Sequence, residues 1–148
     1  ASISFNLFWG RISDRRGNRL LIRLSNLVGF SMPLLALLIG LWGRISPAFG
    51  GLQTGLFALV FVASGAFNAG SAIANMGYLL DIAPSPQRSL YLGFTNTLFG
   101  IGIFTASLGG LIVDWAGFNT LLVISAGFYL LAILLALFMA EPRTEMAA

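Results

Sequence analysis

A chain of 148 residues that is 57% hydrophobic and 9% charged, with a mean hydropathy of +0.90, lacks the makeup of a water-soluble domain, where about a quarter of residues are charged. Its charge of +3 would suit a nucleic-acid ligand if the arginines lined a soluble face; they flank long apolar runs instead, so no nucleic-acid partner is expected. Cysteine and histidine are both missing, which excludes disulfide frameworks, thiolate or imidazole metal sites and the usual nucleophile–base pairs, so no catalytic residue, metal or cofactor is expected and the chain does not read as an enzyme.

Residues 1–10 are apolar but too short to span a bilayer. They read as the end of a truncated transmembrane helix, so the chain is expected to be a piece of a longer protein. Residues 11–19 read as an arginine-rich loop. Arg11, Arg15, Arg16, Arg19 and Arg23 are five of the eight cationic side chains. Beyond them, 24–43, 45–80, 89–113 and 115–140 carry no Asp, Glu, Lys or Arg. A hydrocarbon core about 30 Å thick needs roughly 20 apolar residues per helix. Four spanning helices are therefore predicted at 20–43, 51–80, 90–113 and 118–140, with a tail at 141–148. Breaks fall at Pro47 with Gly50-Gly51, at Pro84 and Pro86, at Trp115-Ala-Gly117, and at Glu141-Pro142.

If every helix spans, one side of the membrane holds the five clustered arginines, Arg88 and Arg143, and the other only Arg44. The positive-inside rule makes the first side, with the C-terminus, cytoplasmic. Trp42 and Trp115 then fall at the outer interface and Trp9 at the inner one. The expected location is an integral membrane protein, of a bacterial inner (plasma) membrane, with the lipid bilayer as its surroundings.

Span 51–80 carries a polar stripe. Ser64, Asn68, Ser71, Asn75 and Tyr78 are spaced 4, 3, 4 and 3 apart, within roughly 80° of arc at about 100° per residue. Gln53 and Phe57 project onto the same stripe. Asn amides facing lipid would be unsatisfied, so the stripe must face protein or water. It reads as a cavity wall, with helix–helix hydrogen bonding as the other reading. Span 90–113 repeats Gly93, Asn96, Gly100, Ser107 and Gly110 at helical spacing, which suits a close helix neighbour or a cavity. Ser64, Asn68, Ser71, Asn75, Asn96 and Gly100 are the candidate substrate-cavity residues. Gly51 and Gly55 could form a small-residue contact. Spans 20–43 and 118–140 are Leu-rich all round and are expected to be peripheral, the first kinked at Pro33, with Ser25, Asn26 and Tyr129 as packing residues. No span has a carboxylate in its core, so a proton-coupling group is expected outside this chain.

The run Gly10-x-x-x-Asp14-Arg15-x-Gly17-x-Arg19 resembles the signature loop of the major facilitator superfamily. That loop lies on the cytoplasmic side between the second and third helices and recurs, weaker, between the eighth and ninth. Four spans follow it here, as they follow the second copy. Asp81-Ile-Ala-Pro-Ser-Pro-Gln-Arg88 resembles the link between the tenth and eleventh helices. Gly109-Gly110-Leu-Ile-Val-Asp114-Trp-Ala-Gly117-Phe118 resembles the close of the eleventh and entry to the twelfth. The resemblance implies an all-α integral membrane fold, a major-facilitator-type helix bundle fragment of four spanning helices plus a partial one. It also implies a two-bundle transporter rocking around a midplane site, with the tenth and eleventh helices lining the cavity. The loop would act as a conformational latch involving Gly10, Asp14, Arg15, Gly17, Arg19, Asp81 and Arg88. Asp14 would meet a helix end of the other bundle, and Arg15, Arg11 or Arg19 would pair with Asp81.

The expected function is the C-terminal portion of a secondary active transporter moving a small solute by alternating access. Its partners would be a small-molecule substrate, neutral and polar or amphipathic, and the missing N-terminal bundle of the same protein. The alternative is a small non-transporting integral membrane scaffold or assembly subunit.

Overall fold

A computed structural model describes residues 2–45 and 50–139, with side chains from residue 5 onward except at 50 and 106. Pro47 and the tail signals Glu141, Pro142 and Arg143 lie outside the described residues. The chain forms five α-helices: α1 (Ser2–Arg16), α2 (Asn18–Ile45), α3 (Gly50–Ile82), α4 (Arg88–Ala116) and α5 (Phe118–Phe138), with a 3-10 turn at Ser85–Gln87 before α4. No strand occurs among the described residues. α2 to α5 are each long and apolar enough to cross a membrane. At 1.5 Å per residue, the 33 residues of α3 extend about 50 Å, beyond a hydrocarbon core of about 30 Å.

The segment expected as a loop over 11–19 is a corner one residue wide. Arg11–Arg16 continue α1, because arginine is a good helix former and nothing there breaks the helix. Gly17 ends it at φ 82°, its N–H donating to the Ser13 carbonyl at 3.1 Å, a left-handed cap that a side chain would strain. Gly117 repeats the device between α4 and α5, at φ 82° with its N–H on the Val113 carbonyl at 2.9 Å. At the α3–α4 link, the Ala83 N–H caps the Leu79 carbonyl and Pro84 starts the 3-10 turn.

α2 was expected at the periphery, but it is the hub, packing against α1, α3 and α5. Small residues make this possible. Ser25, Gly29, Pro33 and Ala36 are buried on one face, so neighbouring backbones come close. At Gly29 a Cβ would collide with the rings of Tyr129 and Phe67, which pack edge-to-face at 5.3 Å. Leu27, Leu34, Leu38 and Leu41 on the remaining surface of α2 are exposed, as lipid contact requires. α2 continues as one helix through Pro33.

The antiparallel pairing of α2 with α3 and α5 gathers charge at one end. Asn18 at the start of α2 meets Asp81 near the end of α3, and Arg23 meets Ala136 near the end of α5. Hence Arg11, Arg15, Arg16, Arg19, Arg23 and Arg88 share one end of the bundle and Arg44 lies at the other. The tightest core, Trp9, Leu21, Ile22, Ala74 and Ala136, lies toward the arginine-rich end. Trp9, expected at the inner interface, is buried at 4% exposure. Its Nε1–H donates to the Ala66 carbonyl at 2.9 Å, and Gly70 leaves room for the indole, which would stand 3.0 Å from an added Cβ. An indole with its N–H satisfied is better placed in this trough of small residues than at a headgroup.

α4 is the least packed helix, touching mainly α5 and, near its start, α3. Added Cβ atoms at Gly93, Gly100 and Gly110 would meet nothing within 4 Å, and the same holds at Gly51 and Gly55. The close neighbours expected for these glycines are therefore not found among the described residues. Large apolar side chains are widely exposed, among them Phe61 at 77%, Phe104 at 80% and Phe138 at 85%. Apolar surface on this scale needs lipid or further protein to cover it.

Candidate functional site

α3 has two unlike faces. Ala66, Gly70, Ala74 and Gly77 form a small-residue face on which Trp9 and Asn18 rest. Ser64, Asn68, Ser71, Asn75 and Tyr78 centre roughly 125° away from it at about 100° per residue, with Tyr78 close enough to the small-residue face to pack against the core. Apart from Tyr78, the stripe is thus turned off the packed side of α3. Part of it borders a groove between α3 and α4 of about 300 Å³, lined by Ser71, Ala72, Asn75, Met76, Leu79, Leu92, Thr95, Asn96 and Phe99. Leu92, Thr95, Asn96 and Phe99 follow the i, i+3, i+4, i+7 pattern of one helix face. The groove is mostly apolar with a few converging polar groups, the usual make-up of a small-molecule site.

The groove brings together three of the six expected cavity residues: Ser71 and Asn75 from α3, and Asn96 from α4. Asn75 and Asn96 are exposed, and no hydrogen bond to either amide side chain is seen among the described residues. At membrane depth such amides require a partner. Ser64 and Asn68 lie nearer the start of α3 and bond to each other within it. Asn68 Nδ2 donates to the Ser64 carbonyl at 2.9 Å, and Ser71 Oγ donates to the Asn68 carbonyl at 3.3 Å, local bonds that small polar residues make on their own helix. Gly100 is half-buried and lies outside this lining.

Two residues projected onto the stripe do not belong to the groove. Gln53 Nε2 donates to the Ile39 carbonyl of α2 at 3.2 Å, its amide filling the space a Cβ at Gly43 would take. Phe57 lines a separate hollow with Met32, Pro33, Phe61, Phe118 and Tyr129. Over so long a helix the neighbours change along its length, so one angular projection does not hold from end to end.

The corner between α1 and α2 is held by a buried polar chain. Ser13 Oγ donates to Asn18 Oδ1 at 2.5 Å, and Asn18 Nδ2 donates to Asp81 Oδ2 at 2.7 Å. Asn18 is 1% exposed and lies directly on Gly77, where a Cβ would come within 2.6 Å of its amide. Asn18 is one partner of Asp81, while Arg19 and Arg23 reach the end of α5. Arg23 Nε donates to the Ala136 carbonyl at 2.9 Å, and Nη2 of Arg19 and of Arg23 donate to the Leu137 carbonyl at 3.1 and 2.9 Å. They thereby satisfy carbonyls at the C-terminus of α5, where cations are favoured. Asp14, Arg15 and Arg88 are exposed and Gly10 is half-buried.

Ser13, Asn18, Gly70 and Gly77, which hold the corner and its packing, and Thr95, which lines the groove, were not singled out by the pattern of charges. Asn18 was visible only as the unassigned position between Gly17 and Arg19, and Thr95 as the neighbour of Asn96. Gly70 and Gly77 are seven apart, a small-residue spacing hidden in a glycine-rich chain.

The family model described as Major Facilitator Superfamily matches residues 1–148, the whole chain. No curated protein and no solved structure matches it.

Proposed function

Because the chain belongs to the Major Facilitator Superfamily, a family of membrane transporters, we propose that it forms the C-terminal portion of a secondary active transporter in which the α3–α4 groove contributes to the solute pathway. The solute is small, and neutral and polar or amphipathic, since the lining combines Asn, Ser and Thr with Met, Leu and Phe and contains no charged side chain. The observation that carries this reading is the meeting of Ser71 and Asn75 with Asn96 across two helices, on the side of α3 turned away from its packed face. Hydrogen bonds from the two amides would position the solute, and the apolar residues would exclude water around it.

Movement would follow from alternating access, with this bundle rocking as a unit against the other. The polar chain Ser13–Asn18–Asp81 ties α1, α2 and α3 together at the arginine-rich end, which supports motion as one body. Asp14, Arg15 and Arg88 remain at the surface there and are the residues through which a latch to the other bundle would act. The largely unpacked α4 is the helix best suited to meet that bundle. The arginine-rich end faces the cytoplasm, on the seven-to-one distribution of arginines in the sequence.

The test is Asn75→Leu and Asn96→Leu in the intact protein. Each is expected to lower transport at least tenfold with expression unchanged, the scale of one lost hydrogen bond to a buried polar partner. Normal transport in a well-expressed double variant would remove the groove from the solute pathway.

A further inference from the structure

A further hollow lies at the arginine-rich end, separate from the solute groove; of its lining, only Arg11 and Arg15 also figure in the latch. It measures about 350 Å³ and is lined by Phe8, Arg11, Ile12, Arg15 and Arg16 of α1 and by Leu20 and Leu24 of α2. Three features set it apart. It holds three guanidinium groups and no carboxylate. Asp14, the one acid on α1, projects about 120° away from the centre of this face at about 100° per residue. Arg11, Arg15 and Arg16 are exposed, whereas Arg19 and Arg23 are engaged by the α5 carbonyls.

The rest of the lining is aliphatic or aromatic and continues down the membrane-spanning surface. Leu20 and Leu24 open the apolar run of α2, and Phe8 lies a turn deeper on α1 than Arg11. A ligand matching this site has a phosphate at the level of the arginines and a hydrocarbon chain running from it into the bilayer. Guanidinium pairs bind phosphate through forked hydrogen bonds, and a low-dielectric boundary strengthens the attraction.

We propose that this groove between α1 and α2 is a binding site for an anionic phospholipid, with its headgroup phosphate held by Arg11, Arg15 and Arg16 and one acyl chain against Phe8, Leu20 and Leu24. The charge complementarity and the placement of the apolar wall decide for lipid over a soluble anion, which would leave the wall bare. Basic hollows between helices at the membrane surface recognise such headgroups, each arginine contributing a factor of about five in affinity. The site is independent of the solute groove.

The experiment is native mass spectrometry of the intact protein in detergent, titrated with phosphatidylglycerol or phosphatidylcholine. It reads binding directly and requires neither transport nor a known sidedness. Phosphatidylglycerol is expected to bind in preference. The triple variant Arg11→Gln, Arg15→Gln, Arg16→Gln should lose affinity on the order of 100-fold, while Arg44→Gln at the other end of α2 should not change it. Arg15→Gln and Arg16→Gln singly, each expected to cost about fivefold, keep the test decisive if the triple variant does not accumulate. Soluble glycerophosphate should not compete. Equal binding of the two lipids, unchanged phosphatidylglycerol binding in the variants (as when protein outside the described residues fills the groove), or effective competition by glycerophosphate would each overturn the proposal.

Discussion

Replacing Asn18 with alanine should be among the most damaging single changes in this chain. Asn18 is buried, accepts from Ser13 at 2.5 Å and donates to Asp81 at 2.7 Å. A hydrogen bond to a charged group contributes about 1.5–3 kcal/mol and a neutral one about 0.5–1.5 kcal/mol. The substitution also leaves a void over Gly77, where no side chain fills the gap. A loss of about 2–4 kcal/mol in unfolding free energy is expected for Asn18→Ala. Part of it comes from Asp81 losing a short donor, so the double variant Asn18→Ala, Asp81→Ala should cost less than the sum of the single ones, with a coupling of about 1–2 kcal/mol, within the range for residues in direct contact. The assay is denaturant unfolding of the intact protein in mixed micelles, followed by tryptophan fluorescence. Trp9 is suited to report it, since it packs in the same core. Strict additivity, or a loss below about 0.5 kcal/mol for Asn18→Ala, would mean that the corner is held by its backbone cap and apolar packing alone.

The corner glycine gives a related test. Gly17→Val forces a β-branched residue to φ 82° and should cost about 1–3 kcal/mol, measured in the same unfolding assay; an unchanged midpoint would refute the strain argument. Trp9→Phe keeps most of the ring but removes the bond to the Ala66 carbonyl and should cost about 1 kcal/mol, whereas Gly70→Leu should prevent stable accumulation by displacing the indole. Sidedness can be read from single cysteines in a cysteine-free background. Arg44→Cys should react with a membrane-impermeant maleimide added to intact cells and Arg16→Cys should not; the reverse pattern would invert the topology. Asp14→Asn should change the proportion of inward- and outward-open states more than solute affinity, and equal proportions in variant and parent would remove Asp14 from the latch.

The number of apolar spans and the concentration of arginines at one end follow from the order of charged and apolar residues alone. Hydrocarbon cannot satisfy backbone polar groups or solvate charge, so a long uncharged run must be a helix, and loops must carry what the helices cannot. The polar stripe on α3 was equally legible, because five residues at 3–4 spacing leave little angular freedom. Which face meets which neighbour was not. Leu-rich α2 looked peripheral, yet Ser25, Gly29, Pro33 and Ala36 make it the hub, since in a bilayer close approach of backbones, rather than hydrophobicity, selects the interface. Trp9 looked like an interfacial anchor until α3 supplied a carbonyl and a glycine trough for it. Among the arginines the pattern gave one class of residue, and tertiary structure divided them: Arg19 and Arg23 cap α5, while Arg11, Arg15 and Arg16 border an open hollow. That division depends on where a distant helix ends, more than a hundred residues along the chain. No local spacing encodes it.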